Sequence, residues 1–333
     1  MSAPLHAPIT GFARLGNELV VGGVPLTQLA ERVGQTPFYA YDRALLKARV
    51  AQLRAVLPAA ISLHYAIKAN PMPALVGCLA PLVDGLDVAS GAELRVALDA
   101  GMDPRHISFA GPGKSEAELA QAVASGILLN LESPREVRVL ADISKRSGRP
   151  ARVAVRVNPA YELKSSGMKM GGGPKQFGID VELVPALLAE IASNGLAFEG
   201  LHIFSGSQNL RADAICDALT KSFELAVQLS RLAPAPLRSL NLGGGFGIPY
   251  FPGDRPLETE PIGRHLAGLA AAAKDQLPQA QLVIELGRYI VGEAGIYVCR
   301  VIDKKVSRGE IFLVTDGGLH HHLAASGNFG QIP

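Results

Sequence analysis

Short apolar, β-rich runs alternate with helix-like segments along most of this chain of 333 residues. Such alternation predicts a parallel sheet, because a helix usually returns the chain between parallel strands. Eight strands fit a closed (β/α)8 barrel or an open, doubly wound sheet, and periodicity alone does not choose between them. The predicted strands are Ile61–Ile67, Gly85–Val88, Ile107–Phe109, Ile127–Leu129, Arg152–Val157, Phe198–Phe204, Ser239–Leu242 and Leu282–Leu286.

Polar residues able to bind or react follow almost every predicted strand. In a (β/α)8 barrel the active site lies at the carboxyl ends of the strands, so this placement favours a catalytic barrel over a purely structural one. The residues are Lys68, Asp87, Ser90, the AGPGK turn at 110–114, Asn130, Glu132, Arg156, Asn158, residues 205–208, the loop 243–247, Glu285 and Arg288.

The two ends of the chain differ from its centre. From Gly295 onward, the runs GIYVCRVIDKKV and EIFLVTDGG are β-rich, and no helical segment follows either of them. Short strand-like pieces also lie within residues 1–36. We therefore predict a barrel over residues 37–290. Residues 1–36 and 291–333 would form a small all-β domain that lacks its C-terminal part.

Charge and cysteine content exclude several classes of protein. Lys and Arg number 32 against 30 Asp and Glu, which gives no electrostatic case for nucleic acid or an anionic membrane. The sequence has neither a secretory signal nor an apolar run of roughly 18 residues. Three scattered cysteines indicate no disulfide framework, so we predict a cytoplasmic protein. The run His320–His322 predicts no metal site, since adjacent strand residues point to opposite faces.

Lys68 stands just past an apolar strand in the motif HYAIKANP. An amine held against an apolar wall loses hydration, which favours the neutral form that a Schiff base requires. By itself the motif fits an ordinary surface lysine equally well.

Two further motifs are suited to a phosphate and a ring nitrogen. The loop LGGGFG, residues 242–247, can present backbone N–H groups to a phosphate, but Ile248 stands where the dinucleotide fingerprint needs its last glycine. In ELGRY, Glu285 could keep a pyridine nitrogen protonated and Arg288 could pair with a phosphate. A simple ion pair at the barrel rim is the alternative for these two residues.

Taken together, these motifs resemble the fold type III enzymes that use pyridoxal 5'-phosphate (PLP), specifically the ornithine/diaminopimelate decarboxylase group. The resemblance covers nearly the whole chain. It rests on YAIKAN (Tyr65–Asn70), DVASGAEL (Asp87–Leu94), RVNP (Arg156–Pro159), KQFGID (Lys175–Asp180), GLHIFSGSQ (Gly200–Gln208), GGGFG (Gly243–Gly247), ELGRY (Glu285–Tyr289) and TDGG (Thr315–Gly318).

The resemblance implies a role for individual residues and a homodimer with active sites at its interface. Lys68 would form the Schiff base with PLP, and Glu285 would pair with the pyridine nitrogen. Asp316 would approach a small amino-acid substrate from the β-domain. The other implied cofactor contacts are Ser207, Gly244, Gly245 and Arg288 at the phosphate, and Asp87, Arg156 and Phe204 at the ring and its lysine.

The chain also departs from that group. Phe204 occupies a position where the group usually has a stacking histidine, so an aromatic face is kept and a titratable nitrogen is lost. We expect His202 to point to the other side of its strand. The family's later Cys and Tyr motifs are absent from this sequence, and we expect Cys299 to be a buried structural thiol. IFSGSQNL and DGGLHHHLAASGNFGQ resemble bacterial decarboxylase-like proteins associated with exosortase and exopolysaccharide systems.

The leading prediction is a carboxy-lyase that decarboxylates an amino acid or an amino-acid-like compound. An amino-acid racemase is less favoured, since such enzymes generally pair the pyridine nitrogen with an arginine, whereas this chain offers Glu285. A non-catalytic or regulatory PLP-binding homologue is the main alternative. A phosphate-binding barrel without PLP would leave Lys68 and Glu285 unexplained.

Overall fold

The structure is a computed structural model that describes residues 7–161, 168–169, 171–318 and 320–321, with residues 168–169 described as backbone only. The chain divides into two compact units. The larger contains residues 47–249 and 254–291, and the smaller contains residues 1–46, 250–253 and 292–333. The predicted barrel limits at residues 37 and 290 stay a prediction.

The larger unit is a closed barrel of eight parallel strands, which confirms the (β/α)8 prediction over an open sheet. Each strand pairs with the next, and the eighth pairs with the first. Barrel strands 1 to 8 are Ile61–Ala66, Gly85–Val88, Ile107–Phe109, Leu128–Leu131, Arg152–Asn158, Ala197–Ile203, Ser239–Gly244 and Gln281–Leu286. A short extra strand, Ile179–Asp180, pairs with strand 5, and Met168–Lys169 pairs with Gly206–Ser207.

Helices return the chain between the barrel strands. Ser90 and Ser115 cap two of them by accepting a hydrogen bond from the backbone N–H of Glu93 and Glu118. The α-helices from residue 43 onward are Arg43–Val56, Pro73–Leu79, Gly91–Asp99, Glu116–Ser125, Pro134–Ser147, Val184–Ser193, Ala212–Ser230, Glu260–Gln276 and Arg288–Val291. Short 3-10 helices cover Ile67–Ala69, Ala80–Leu82, Pro104–His106 and Val181–Leu183. No α-helix in the described ranges is long and apolar enough to span a bilayer.

Alternation along strand 1 separates the hydrophobic core from the site. Leu63 and Tyr65 are fully buried on one face of the strand. His64 and Ala66 lie on the opposite face, and Ala66 lines a cavity at the carboxyl end of the barrel. The apolar residues of the strands therefore anchor the barrel, while the other face carries polar groups toward that cavity.

The smaller unit combines strands from both chain ends around a core of Phe12, Val21, Ala40 and Val298. Its strands are Ala13–Leu15, Glu18–Val21, Val24–Pro25, Phe38–Tyr41, Gly295–Val298, Val301–Ser307 and Glu310–Thr315. The unit also contains a helix, Leu26–Val33, that the sequence patterns did not predict. Cys299 is exposed, so the expectation of a buried thiol is wrong.

Candidate active site

A cavity of about 490 Å³ opens at the carboxyl ends of the barrel strands. It is lined by residues from strand ends far apart in the sequence, as expected for a barrel of this type. The predicted site residues that line it are Lys68, Asp87, Arg156, Phe204, Ser207, Glu285 and Arg288. The structure therefore brings together side chains that the sequence separates by as many as 220 residues, from Lys68 to Arg288.

Lys68 lies in the short helix Ile67–Ala69, directly after strand 1. The hydroxyl of Tyr65 donates a hydrogen bond to the carbonyl of Asn70 at 3.0 Å, which fixes the turn that carries the lysine. Nζ of Lys68 lies 5.9 Å from the centre of the Phe204 ring. The lysine side chain is exposed in the cavity, so the apolar enclosure expected for it is not observed.

The carboxylate of Glu285 is buried at the end of strand 8. Its Oε2 accepts a hydrogen bond from Nδ2 of Asn241 at 3.0 Å, and its Oε1 lies 3.5 Å from Nε2 of His202. Burial raises the pKa of Glu285, but interactions with His202, Lys68 and Arg156 outweigh it, and the net pKa is well below the ordinary value. The lowered pKa favours the ionised form of Glu285, which is the form that can pair with a protonated ring nitrogen.

His202 also belongs to the cavity wall. It is 1% exposed and lines the cavity together with Phe204, two residues further on. Residues i and i+2 share one face of a strand, so the expectation that His202 points away is wrong. Among described groups, neither ring nitrogen of His202 has a partner with hydrogen-bond geometry. The spacing from Phe204 was a sequence signal that could have identified His202.

The glycine loop, residues 243–247, begins in the last residues of strand 7. Three of its backbone positions, at Gly243, Gly244 and Gly245, accept only glycine. Gly243 and Gly245 have left-handed backbone angles, with φ of 72° and 75°. A Cβ at Gly245 would come 2.2 Å from the carbonyl oxygen of Gly206, and one at Gly244 would come 2.3 Å from that of Glu285. This close backbone approach leaves a cradle free of side chains beside the cavity. The half-buried Ser207 and Arg288 line the cavity and offer a hydroxyl and a guanidinium suited to phosphate.

Asp87 takes part in a chain of side chains inside the barrel. Its Oδ1 accepts a hydrogen bond from Ser108 at 2.5 Å and lies 3.2 Å from Nδ1 of His64. Nδ2 of Asn130 donates to Oγ of Ser108 at 3.2 Å. Burial lowers the pKa of His64, but Asp87 together with Glu285 and Asp84 outweighs it, so the net pKa is raised. Oδ2 of Asp87 is buried with no hydrogen-bond partner among the described atoms, although the residue lines the cavity.

Arg156 is held by a neighbouring carboxylate and an aromatic ring. Its Nη1 donates to Oε1 of Glu132 at 3.0 Å, and its guanidinium lies 4.9 Å from the centre of the Phe177 ring. Glu132 also accepts backbone N–H bonds from Gly111 and Gly178, at 2.5 and 2.9 Å. Burial raises the pKa of Glu132, but Arg156, the Gly178 N–H and Lys114 outweigh it and lower the net pKa. Arg156 therefore has a fixed orientation at the cavity.

Asp316 lies in the smaller unit, where its carboxylate accepts hydrogen bonds from the Thr36 hydroxyl and, at 2.8 Å, from the backbone N–H of Arg300. Its role toward a substrate stays a prediction. The rings of His320 and His321 lie with their centres 3.9 Å apart and their planes tilted by 49°, and His322 lies outside the described residues. The part of the chain that the structure describes contains no group of three His, Cys, Asp or Glu side chains able to hold a metal ion.

The cavity fits PLP in the chemistry of its donors. It combines an amine, a buried anionic carboxylate, an aromatic face, and a hydroxyl with a guanidinium next to a glycine cradle. The unpartnered Oδ2 of Asp87 provides a further buried polar atom at the cavity. Lys68, Phe204, Ser207, Glu285 and Arg288 are thus the residues that would hold the cofactor.

Known proteins agree with this fit. The family described as "Pyridoxal-dependent decarboxylase, pyridoxal binding domain" matches residues 43–292. The chain is 36% identical over 304 residues to an L-glutamyl-[BtrI acyl-carrier protein] decarboxylase of Niallia circulans, covering 90% of this chain and 71% of that protein. It is 37% identical over 313 residues to a diaminopimelate decarboxylase of Aquifex aeolicus, covering 93% and 72%.

Solved structures show the same similarity. Diaminopimelate decarboxylase of M. jannaschii with L-lysine has a TM-score of 0.80 and 26% identity, over 91% of this chain and 72% of that one. The Helicobacter pylori enzyme with L-lysine has a TM-score of 0.78 and 28% identity, over 88% and 73%. With its barrel, its cavity and these relatives, the chain belongs to the family of PLP-dependent decarboxylases.

Proposed function

We propose that this protein removes the carboxylate of an amino acid or amino-acid-like substrate, with Lys68 as the amine that holds PLP in a Schiff base. The observation that carries this proposal is the buried Glu285 carboxylate, which accepts a hydrogen bond from Asn241, in the same cavity as Lys68, Phe204, Ser207 and Arg288. An arginine in place of Glu285 would suit a racemase, so the carboxylate favours decarboxylation.

Each residue contributes a separate task. Lys68 would offer its amine to the aldehyde of the cofactor. Ser207, Arg288 and the glycine loop would hold the phosphate, and Phe204 would pack on the ring. Glu285 would keep a proton on the pyridine nitrogen.

The bond that breaks joins Cα to the departing CO2, and a proton then returns to Cα. When bound, the cofactor supplies the electron sink that accepts the electron pair left behind by CO2. The anionic Glu285 makes that sink stronger, because its charge stabilises the protonated ring nitrogen.

A second candidate is a PLP-binding protein without catalysis. Phe204 favours it, because this ring offers no nitrogen for proton transfer where the group usually has a histidine. Two finer proposals rest on the resemblance alone: a homodimer and an association with exopolysaccharide systems. A cytoplasmic location is a further proposal, and it rests on the three scattered cysteines. Light scattering of the purified chain would test the dimer directly.

The test compares the native chain with Lys68→Ala after addition of PLP. We expect a visible absorbance band and a borohydride-stable adduct on the Lys68 peptide only in the native chain. Lys274→Ala, which removes an exposed lysine of the helix Glu260–Gln276, is the matched control and should retain both signals. An adduct that persists in Lys68→Ala would contradict the assignment of this lysine.

The second stage measures CO2 release from amino acids, beginning with diaminopimelate and glutamate derivatives. Release that depends on Lys68 and Glu285 would support a decarboxylase. A native chain that binds PLP but releases CO2 from none of a broad set of amino acids would place the second candidate first.

A further inference from the structure

Both ends of the Asn241 side-chain amide make hydrogen bonds near the end of strand 7. Its Oδ1 accepts the backbone N–H of Gly243 at 2.8 Å, and its Nδ2 donates to Oε2 of Glu285 at 3.0 Å. The residue is 6% exposed. An amide N–H needs an acceptor and an ionised carboxylate needs a donor, so these two partners define which end of the amide is which.

The strand pairing explains why a side chain is needed here. Strands 7 and 8 pair in register up to Asn241 and Val283, and the register then shifts before Gly244 pairs with Glu285. Gly243 lies inside this irregular stretch and has a left-handed φ of 72°. The amide of Asn241 supplies the acceptor for the Gly243 N–H within that stretch. It therefore stabilises the turn that starts the glycine loop.

The same side chain orients the carboxylate on the neighbouring strand. Oε2 of Glu285 is held by Asn241, while Oε1 lies 3.5 Å from His202. A donor at Oε2 favours the ionised form of a buried carboxylate. One amide thus connects the glycine loop with the group that would face a pyridine nitrogen.

We propose that Asn241 is a positioning residue that sets the glycine loop and the Glu285 carboxylate in register with each other. In doing so it matches the two ends of the cofactor, its phosphate and its ring nitrogen. This inference rests on the proposed function, because it assigns the loop and Glu285 to those two ends. Asn241 acts through its neighbours and is not itself placed in contact with the cofactor.

The substitution Asn241→Asp separates the two roles. Aspartate keeps an oxygen for the Gly243 N–H, so the loop is retained. The other oxygen replaces the donor and faces Glu285, and one of the two carboxylates must take up a proton. Asn241→Ala removes both hydrogen bonds and should disturb both the loop and the carboxylate.

Two probes separate the two ends of the cofactor. PLP has both the phosphate and the ring nitrogen, whereas pyridoxal has the ring nitrogen but lacks the phosphate. We expect Asn241→Asp to weaken both by a similar factor of about tenfold or more, because the two carboxyl groups would share one proton and Glu285 would no longer present its full negative charge. The ratio of the two dissociation constants should then be unchanged. In Asn241→Ala the affinity for PLP should fall further than that for pyridoxal. The dissociation constant for pyridoxal divided by that for PLP should therefore be smaller than in the native chain.

Asn194→Asp is the matched control, since it makes the same change in a half-buried asparagine that donates to the carbonyl of Glu190 at 2.8 Å. It should leave both dissociation constants unchanged. The double variant Asn241→Asp/Glu285→Gln exchanges donor and acceptor, so it should recover the thermal stability that Asn241→Asp loses. It should not recover the affinity for pyridoxal, because the ring nitrogen still lacks an anion.

The outcomes separate this inference from the proposed function. A native chain that binds neither probe would contradict the proposed function, and with it this inference. If the native chain binds both probes and Asn241→Asp binds them equally well, the inference alone is wrong. It is also wrong if Asn241→Ala leaves the ratio of the two dissociation constants at the native value.

Discussion

Nζ of Lys114 lies 3.0 Å from the carboxylate of Glu136, and both side chains are 1% exposed. The same ammonium group donates hydrogen bonds to the carbonyl oxygens of Gly111 and Asn130, at 2.5 and 2.9 Å. A buried ion pair therefore ties the turn after strand 3 to the helix Pro134–Ser147. A buried charge of either sign is costly once its partner is removed.

Replacing the lysine alone should be strongly destabilising. We expect Lys114→Met to lower the free energy of unfolding by about 3–5 kcal/mol, because Glu136 would remain buried without its cation. The double variant Lys114→Met/Glu136→Gln should recover much of this loss. It has no buried charge at the pair, and it keeps an oxygen for the backbone N–H of Glu132, which Glu136 accepts at 2.8 Å. Urea unfolding of the three chains would check this, and equal losses in the single and double variants would argue against it.

The raised pKa of His64 predicts a pH dependence of stability. Because the folded pKa lies above the unfolded value of about 6.5, protonated His64 stabilises the folded chain. This stabilisation is complete below the unfolded pKa and is lost as the pH rises through the folded pKa. His64→Asn should remove this pH-dependent part of the free energy of unfolding. Urea unfolding at pH values from below the unfolded pKa of His64 to above its folded pKa would measure it.

The control for this experiment is His265→Asn, since the His265 ring pairs with the Thr220 hydroxyl at 2.8 Å, outside the cavity lining. That variant should keep the pH-dependent component that His64 contributes. An unchanged pH dependence in His64→Asn would show that His64 is not its source.

The glycine loop gives a prediction with a matched backbone control. Gly245 and Gly126 both have φ of 75°, but only Gly245 has a heavy atom within 4 Å of an added Cβ. Gly126→Ala should therefore cost only the left-handed strain, about 1–2 kcal/mol. Gly245→Ala should cost more and should weaken PLP binding at least tenfold, since the loop must move away from Gly206. Similar losses of stability and unchanged PLP affinity in both variants would contradict a tight cradle.

Phe204 offers a test of the aromatic face. Phe204→Leu should weaken PLP binding by about twofold to tenfold, the usual range for an aromatic contact beyond its buried area. Phe204→His keeps an aromatic ring and should bind PLP with nearly native affinity. Fluorescence titration with PLP would distinguish them, and native affinity in Phe204→Leu would mean that the ring does not pack on the cofactor.

Sequence patterns predict the barrel well because the apolar strands are short and separated by capped helices. The fourth strand, predicted as Ile127–Leu129, is observed at Leu128–Leu131, so its predicted position is displaced by only one or two residues. The residues that follow the strands converge because parallel strands end at one face of a barrel. The cavity residues are predictable for that reason.

What the sequence patterns miss depends on contacts between strands. Asn241 gains its role from the register shift opposite Glu285, and a register shift leaves no local signal in either strand. His64 gains its ion-pair partner only because Asp87 lies beside it on the next strand. The pairing of Lys114 with Glu136 joins residues on either side of strand 4, which no local pattern connects.

Two hydrogen bonds connect the side chains of Asn130, Ser108 and Asp87, and both run in the direction from Asn130 to Asp87. The Ser108 hydroxyl has a single proton and gives it to Asp87, so it must take the Asn130 N–H as an acceptor. Asn130 is absent from the cavity lining, whereas Asp87 belongs to it together with Lys68. Reversing the polarity at Asn130 would turn the hydroxyl around and deprive Asp87 of the hydrogen bond from Ser108, leaving His64 as its neighbour. A substitution at Asn130 would therefore change the hydrogen bonding of Asp87, and with it the charge distribution near Lys68, without altering a residue that lines the cavity.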